Sequence, residues 1–408
     1  MSKTTAAGAL QGVRVLDLSR VLAGPWATQT LADLGAQVIK VERPGVGDDT
    51  RQWGPPFYKT SEGERGDAAY YMVTNRNKAS ICVDFSTPEG RKILHDLIPR
   101  CDVLVENFRT GHLARYGLDY DSVHTLNPKL VYCSITGFGQ TGPLSERAGY
   151  DFVIQAMSGL MSVTGEADGP PLKVGLAISD LLAGLYASNA ILAALWHARA
   201  SGEGQQIDIS LLDCQIAAMT NQAAATLLTG ESAQRMGNRH PNLVPYQVFA
   251  ASDGPVVIAV ANDAQFVRLC GAIGLEGLEH DARFVTNAAR VENREAMESL
   301  IAPLIAARPI ICWVEALAAA GVPCGPVNTM TQALAEPQVA ARAMVDTMKR
   351  DDLAKPVRVP ASPLRLSETP VRARSAPPRL GADTDAVLGD LLGMSEMELA
   401  RLRKRGII

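Results

Sequence analysis

VRVLDLSRVLAGPWATQTLADLGAQVIKVE, Val13–Glu42, is the stretch from which the fold of this chain is read. Val13–Leu18 is an apolar run of strand length. Ala23–Leu34 follows with helical periodicity, with Pro25 in its first turn and Gly35 at its end. Gln37–Glu42 is a second strand. The three form a βαβ unit of the length used by nucleotide-binding α/β domains. Glu42 falls where a dinucleotide enzyme carries its ribose-binding acid. The first turn, however, offers only Gly24 where that fingerprint needs three glycines, and Arg43 follows the acid directly. An arginine at that position suits a ribose phosphate better than a bare diol.

Outward from this unit the α/β alternation continues. Pro44–Ala68 is rich in turns, and the polar run Asn75–Ser80 leads into a strand at Ile81–Asp84. A helix is predicted over Pro88–Ile98 and a strand over Asp102–Glu106. Asn107, Phe108 and Arg109 then sit at that strand's carboxyl end, where open α/β sheets contact ligands. Arg115 lies on a short helix beyond. After a strand at Leu130–Ile135 comes Gly137-Phe-Gly-Gln-Thr-Gly142, a literal GxGxxG. Pro143 and a polar loop follow it where a dinucleotide fingerprint would open a helix, so it reads as a loop. Tyr150 and Asp151 begin the next helix.

Lys173–Arg199, KVGLAISDLLAGLYASNAILAALWHAR, is the most unusual segment of the chain. Asp180 is its one acid, and small residues recur every third or fourth position, as in a tightly packed buried helix. Ser179 or Asp180 is placed at the N-cap. A capping carboxylate ordinarily lies in solvated loop, whereas the approach PPLKVGLAI is apolar apart from Lys173. An acid so placed has a raised pKa or a chemical role. The segment is nearly long enough to span a bilayer, but Asp180, Asn189 and the small-residue face favour a soluble core helix.

The 408 residues are 47% hydrophobic and 20% charged, an ordinary globular balance with material for two or three domains. A net charge of −4 argues against nucleic acid as the main partner. The seven cysteines include no CxxC and the six histidines no HExxH, which points to reduced thiols, a cytoplasmic setting and no metal. No export signal or membrane partner is expected. Further along, a strand at Gln206–Leu211 precedes a long Ala/Gln-rich helix to about Leu228. A smaller unit with a strand pair around Gly254–Val260 follows. Dense prolines from Lys355 to Pro378 read as an extended connector, and helices over Asp383–Arg405 close the chain.

Taken in order, these blocks resemble the class III CoA-transferase family, of the formyl-CoA and carnitine CoA-transferase type. The resemblance is carried by the opening βαβ with ERPGVGDDTR, NRNKASICVDFSTPEG, DVLVENFRTGHLARYGLDYDSVHTLNPKLVYCSITGFGQTGP, GYDFVIQAMSGLMSVTG, SDLLAGLYA and GVPCGPVNTM. It implies an α/β fold with a Rossmann-like large domain assembled from both chain ends (1–204 and 379–408) and a smaller α/β domain (229–324). The linkers would be 205–228 and 325–378, and two subunits would thread as an interlocked-ring homodimer. It assigns Asp180 as the nucleophile, passing through a mixed anhydride to an aspartyl-CoA thioester, with Tyr150 and Asp151 beside the reacting acyl group. CoA, as part of the substrate and with no permanently bound cofactor, would be held by Leu22, Ala23, Arg43, Val83, Asp84, Phe85, Ser86, Asn107, Phe108, Arg109 and Arg115.

The resemblance has departures. The long glycine-rich loop that some relatives carry after the position of Gly237 is missing, so Gly237, Asn238, Arg239 and His240 are expected to meet the acid substrate, Arg239 and His240 through its second carboxylate. That favours a small dicarboxylate such as succinate. Leu380–Thr384 also lacks the Glu-His that usually precedes the threonine. An α-methylacyl-CoA racemase on the same fold is the main rival, but its histidine position holds Tyr150, a poor base at neutral pH. A catalytically idle CoA-binding homologue is countered by the intact Asp180.

Overall fold

The structure, a computed structural model, describes residues 8–408. The chain divides into two compact units. The first comprises the described residues to Leu160 together with Val174–Ala224 and Ala340–Ile408, and the second comprises Met161–Lys173 and Ala225–Val339.

The first unit is built on six parallel strands: β1 (Arg14–Asp17), β2 (Gln37–Glu42), β3 (Lys78–Cys82), β4 (Val103–Glu106), β5 (Val131–Thr136) and β6 (Gln206–Ser210). Their order across the sheet is β3-β2-β1-β4-β5-β6, every neighbouring pair parallel. This is the doubly wound dinucleotide-fold order, in which the chain reverses direction across the sheet between β1 and β4. The strands are apolar on both faces because helices cover both. One face packs against α1 (Ala23–Asp33), α5 (Ile178–Ser201) and α6 (Leu211–Ala218) through Val15, Ala27, Leu31, Ala183, Ala187 and Ile191. The other packs against α2 (Pro88–Leu97) and the C-terminal helices α11 (Thr384–Leu392) and α12 (Glu396–Lys404), through Leu16, Ile39, Ile93, Leu388 and Leu402.

The C-terminal segment is hydrogen-bonded onto β3. The Ser80 N–H donates to the Asp383 carboxylate at 2.8 Å, and the Cys82 N–H donates to the Thr384 hydroxyl at 3.0 Å. Gly381, at φ +65°, makes this turn possible: a Cβ there would lie 2.7 Å from the Cys82 sulfur. A buried ion-pair layer ties the same edge together. Glu42 accepts from Arg51 at 2.8 and 2.7 Å and from the Ser80 hydroxyl at 2.6 Å. Glu42, at the position of a dinucleotide enzyme's ribose acid, therefore has a structural place instead. It is 3% exposed and its oxygens are committed to protein donors.

Three expectations change. The segment 211–228 is not one helix: α6 ends at Ala218 and α7 (Thr220–Thr229) restarts from Thr220 at φ +41°. The 355–378 stretch is not all extended connector, since Val357–Pro360 pairs antiparallel with Val345–Met348. Helix α5 is buried on one face only. Its small residues Ala183, Gly184, Ala187 and Ala194 are buried, whereas Trp196 is 77% exposed and Leu185 and Tyr186 are also open. It is the one described helix long and apolar enough to cross a membrane.

The second unit has a three-stranded antiparallel sheet, β9-β8-β7, of β7 (Tyr246–Ala251), β8 (Gly254–Ala259) and β9 (Cys324–Pro326). Helices α8 (Asp263–Ile273), α9 (Arg294–Ala306) and α10 (Ile310–Ala319) bury Phe266, Leu269, Ile301, Trp313 and Leu317 against it.

Candidate active site

In a doubly wound sheet, the carboxyl ends of the two strands flanking the reversal leave a crevice, because the connections on either side run to opposite faces. Here that crevice is a cavity of about 720 Å³, a size typical of small-molecule sites. Its walls come from the turn after β1 (Arg20–Ala23), the ends of β2 and β3 (Arg43, Val83–Ser86), the turn after β4 (Asn107–Thr110), the 136–150 loop and Asp180. The two turns at the reversal are joined directly. The Arg20 N–H donates to Asn107 Oδ1 at 2.8 Å, and Asn107 Nδ2 donates to the Arg20 carbonyl at 2.6 Å. Buried Glu106 accepts the Phe108 N–H at 2.8 Å, and burial raises its pKa to about 7.

Asp180 reaches the cavity because of how α5 meets α1. Gly184, one turn further along α5, lies against α1 so closely that a Cβ would sit 2.7 Å from the Ala23 carbonyl oxygen and 3.0 Å from Trp26 Cδ1. The expected cap is corrected here: the N-cap is Ala177, without a side-chain cap, so Ser179 and Asp180 both lie inside the first turn. The capping acid comes from elsewhere. Asp151 Oδ1 accepts the Ser179 N–H at 2.8 Å, and Asp151 Oδ2 accepts from Gln155 Nε2 at 2.7 Å. Helix α4 (Asp151–Met157) thus supplies the α5 cap in trans.

The Asp180 carboxyl is half-buried and its pKa is raised to about 7, first by burial and then by the nearby Asp151 charge. Such a group is ionised often enough at neutral pH to attack, and is poorly enough solvated to be reactive. The first-turn amides of α5 and α1 supply positive dipole ends around it.

Of the residues expected at the site, Leu22, Ala23, Arg43, Val83, Asp84, Phe85, Ser86, Asn107, Phe108, Arg109, Tyr150 and Asp180 line this one cavity. Tyr150 stands at its rim, 68% exposed. Asp151 acts behind the wall through Ser179, and Arg115 sits outside the lining on the short helix Leu113–Tyr116. Gly237, Asn238, Arg239 and His240 belong to the second unit. There Gly237, at φ +59°, donates its N–H to the Gly165 carbonyl at 3.0 Å. The Arg239 guanidinium pairs with Glu298 at 2.7 Å, and Arg294 holds the His240 carbonyl at 2.8 Å. Burial and the Arg294 charge lower the His240 pKa.

Several lining residues were not anticipated. Arg20 and Arg147 join Arg43 and Arg109 in a cationic wall, and His112 stacks on Phe108 at 5.3 Å between ring centroids. Tyr70, outside the lining and packed edge-on against Trp53, lies close enough to Asp180, Asp151 and Asp48 for their charges to raise its pKa beyond what burial does. Their common signal is a polar or aromatic side chain at the end of a strand or next to a turn, a pattern shared with many uninvolved surface positions.

The Gly137–Gly142 run forms no phosphate loop opening a helix. It closes onto the end of β6, where the Gln140 N–H donates to Asp208 at 2.9 Å.

The comparisons with known proteins agree with this geometry. The model of CoA-transferase family III matches residues 10–384. The succinate–glutarate CoA-transferase of Agrobacterium fabrum is 48% identical over 389 residues, covering 94% of this chain and 95% of that one. The human succinyl-CoA:glutarate CoA-transferase is 42% identical, covering 98% and 90%. A crystal structure of a CAIB/BAIF family protein from Brucella suis superposes with a TM-score of 0.83 at 46% identity, covering 94% of this chain and all of that one. A parallel sheet wound as in dinucleotide folds, a crevice at its reversal lined by arginines and by Asp180, and a sequence match over residues 10–384 together make this chain a member of CoA-transferase family III.

Proposed function

We propose that the enzyme moves CoA from succinyl-CoA to a second small dicarboxylate of the glutarate type, with Asp180 as covalent carrier. The relatives whose names carry succinate, succinyl-CoA and glutarate support the substrate class. The observation that carries the mechanism is the half-buried Asp180 carboxyl, which lines the cavity with its pKa raised to about 7.

Asp180 attacks the thioester carbonyl and expels CoA thiolate, leaving a mixed succinyl–aspartyl anhydride. The thiolate attacks the aspartyl carbonyl and releases succinate, which takes one aspartyl oxygen with it. The acceptor carboxylate then attacks the aspartyl-CoA thioester and expels the thiolate again. Thiolate attack on the acceptor carbonyl gives the new acyl-CoA and restores the Asp180 carboxylate with one oxygen from the acceptor. Covalent division of the exchange replaces one hard step by four easier ones. Amides of the α1 and α5 first turns face the oxyanions that develop.

The cationic wall of Arg20, Arg43, Arg109 and Arg147 suits the CoA phosphates, and Phe85 and Phe108 offer apolar surface for adenine. Arg115, Leu22, Ala23 and the Val83–Ser86 segment complete the proposed CoA set. Tyr150 hydrogen-bonds the acyl group, and Asp151 holds the α5 terminus. Gly237 and Asn238 shape the turn that carries Arg239 and His240, which recognise the distal carboxylate of the acid, Arg239 exchanging Glu298 for substrate.

We further propose the interlocked homodimer, with the domain limits given by the family pattern. The exposed apolar face of α5 supports an association surface. A cytoplasmic setting is supported by seven free cysteines.

The test is oxygen transfer. After one turnover with succinyl-CoA and glutarate labelled with oxygen-18 in its carboxylates, the Asp180 peptide should carry one heavy oxygen. An unlabelled Asp180 peptide after product has formed would remove the covalent carrier. Arg239→Ala should raise KM for glutarate about tenfold or more and KM for succinyl-CoA by less, because the CoA contacts of the donor remain.

A further inference from the structure

Val21, a β-branched residue, is held at φ +71°, a left-handed conformation that such residues avoid. It lies between the carboxyl end of β1 and the first residue of α1. Its conformation therefore sets the direction of the backbone that follows, including the Leu22 and Ala23 amides at the cavity.

Two fully buried side chains brace this turn from beneath. Lys40 Nζ donates to the Ser19 carbonyl at 2.9 Å and to Asp48 Oδ2 at 2.8 Å. Asp48 in turn accepts the Val21 N–H, 3.3 Å from each oxygen. The result is a closed ring, Ser19 carbonyl to Lys40 to Asp48 to Val21 N–H, that grips the chain on both sides of Arg20. Both residues border the cavity, but their side chains are 0% exposed and spend their hydrogen bonds on the turn, so they act through its backbone. Asp48 is fixed in its own right, accepting the Thr50 N–H at 3.0 Å and hydroxyl at 2.7 Å. Charges of Asp17 and Glu42 also face Lys40, and Asp48 stays ionised, held at about 2 chiefly by Lys40 against its burial.

A buried ion pair adds little stability over well-packed apolar isosteres. What this pair adds is a strained turn kept in one position, and strained backbone persists only where its surroundings over-determine it. We propose that the Lys40–Asp48 pair is a positioning element for catalysis, holding Val21 left-handed so that the Arg20–Ala23 turn presents its amides beside Asp180. The proposal rests on Asp180 as nucleophile.

The experiment is a double-mutant cycle on kcat between Asp48→Ala and Val21→Gly. Asp48→Ala should lower kcat about 30-fold while changing KM for succinyl-CoA less than about threefold. In the Val21→Gly background the same change should cost less than about threefold in kcat, because glycine takes a positive φ without bracing. Asp48→Asn, which keeps one acceptor oxygen for Val21 and Thr50 but turns an NH2 donor toward Lys40, should recover only part of the loss. Equal losses in both backgrounds, or a loss that follows the folded fraction measured by circular dichroism, would overturn the proposal. If Asp48→Ala does not fold, Lys40→Met takes its place in the same cycle with the same criteria. Asp180→Asn run in parallel separates the two ideas: turnover by that variant would remove the nucleophile, while the coupling between positions 48 and 21 would still be read independently.

Discussion

Asp180 is a carboxyl group moved from an ordinary value of 3.8 to about 7, with burial the larger cause and the Asp151 charge the smaller. The ionised form is the nucleophile, so the rate of thioester formation should rise with pH through about 7 and level off above it. Asp151→Asn removes a neighbouring negative charge yet keeps an oxygen to accept the Ser179 N–H. It should move that rising limb to lower pH, read from kcat/KM against pH. An unmoved limb, or one moved upward, would separate Asp151 from the Asp180 titration. At this scale the sequence was informative where chemistry departs from background: a single acid in an apolar run stands out. The cap of α5 was not legible, because the capping oxygen belongs to Asp151, 28 residues earlier. Val21 and Tyr70 were not legible either. A β-branched residue gives no sign of left-handed backbone, and Tyr70 follows an aperiodic stretch that only the fold carries toward Asp180.

Among the elements, α5 and α1 matter most, since their contact sets where the nucleophile sits. Gly184 permits it, as a Cβ would press on the Ala23 carbonyl at 2.7 Å. Gly184→Ala should therefore destabilise the protein by about 1–3 kcal/mol, the range for overpacking. It should also lower kcat more than KM, because Asp180 is displaced along with the helix. Thermal melting with steady-state kinetics checks both, and an unchanged kcat with a lowered Tm would confine Gly184 to packing. The small-residue period of α5 was readable, since close helix approach needs small side chains at that spacing. Its one-sided burial was not, because an apolar helix reads the same whether its outer face meets core or solvent. The break between α6 and α7 was hidden for a related reason: Met219 and Thr220 are ordinary helix residues by propensity, and the break depends on tertiary context. The Gly137–Gly142 run shows the opposite error, a motif in letters whose surroundings lack the helix that would give it meaning.

For the whole molecule, the regular alternation of strand and helix after Val13 made a parallel α/β sheet legible, whereas the order β3-β2-β1-β4-β5-β6, and with it the position of the crevice, came only from the structure. The docking of α11 onto β3 through Asp383 and Thr384 spans some 300 residues of sequence. Residue periodicity could not show it, and it was expected only from the family likeness. Leu185, Tyr186 and Trp196 of α5 are all exposed apolar side chains on one helix. Light scattering on the eluting protein should accordingly give twice the 43.5 kDa subunit mass, with no dissociation on dilution to nanomolar concentration. A monomer at micromolar concentration would contradict the interlocked dimer.

The central claim is covalent carriage of CoA by Asp180, and intact-subunit mass spectrometry after incubation with succinyl-CoA tests it most directly. The wild-type subunit should gain the mass of one CoA less one water. Hydroxylamine should remove that increment and leave its mark on the peptide containing Asp180, and Asp180→Ala should show neither change. An adduct that persists in Asp180→Ala, or turnover by the wild type with no adduct and no hydroxylamine mark, would contradict the account.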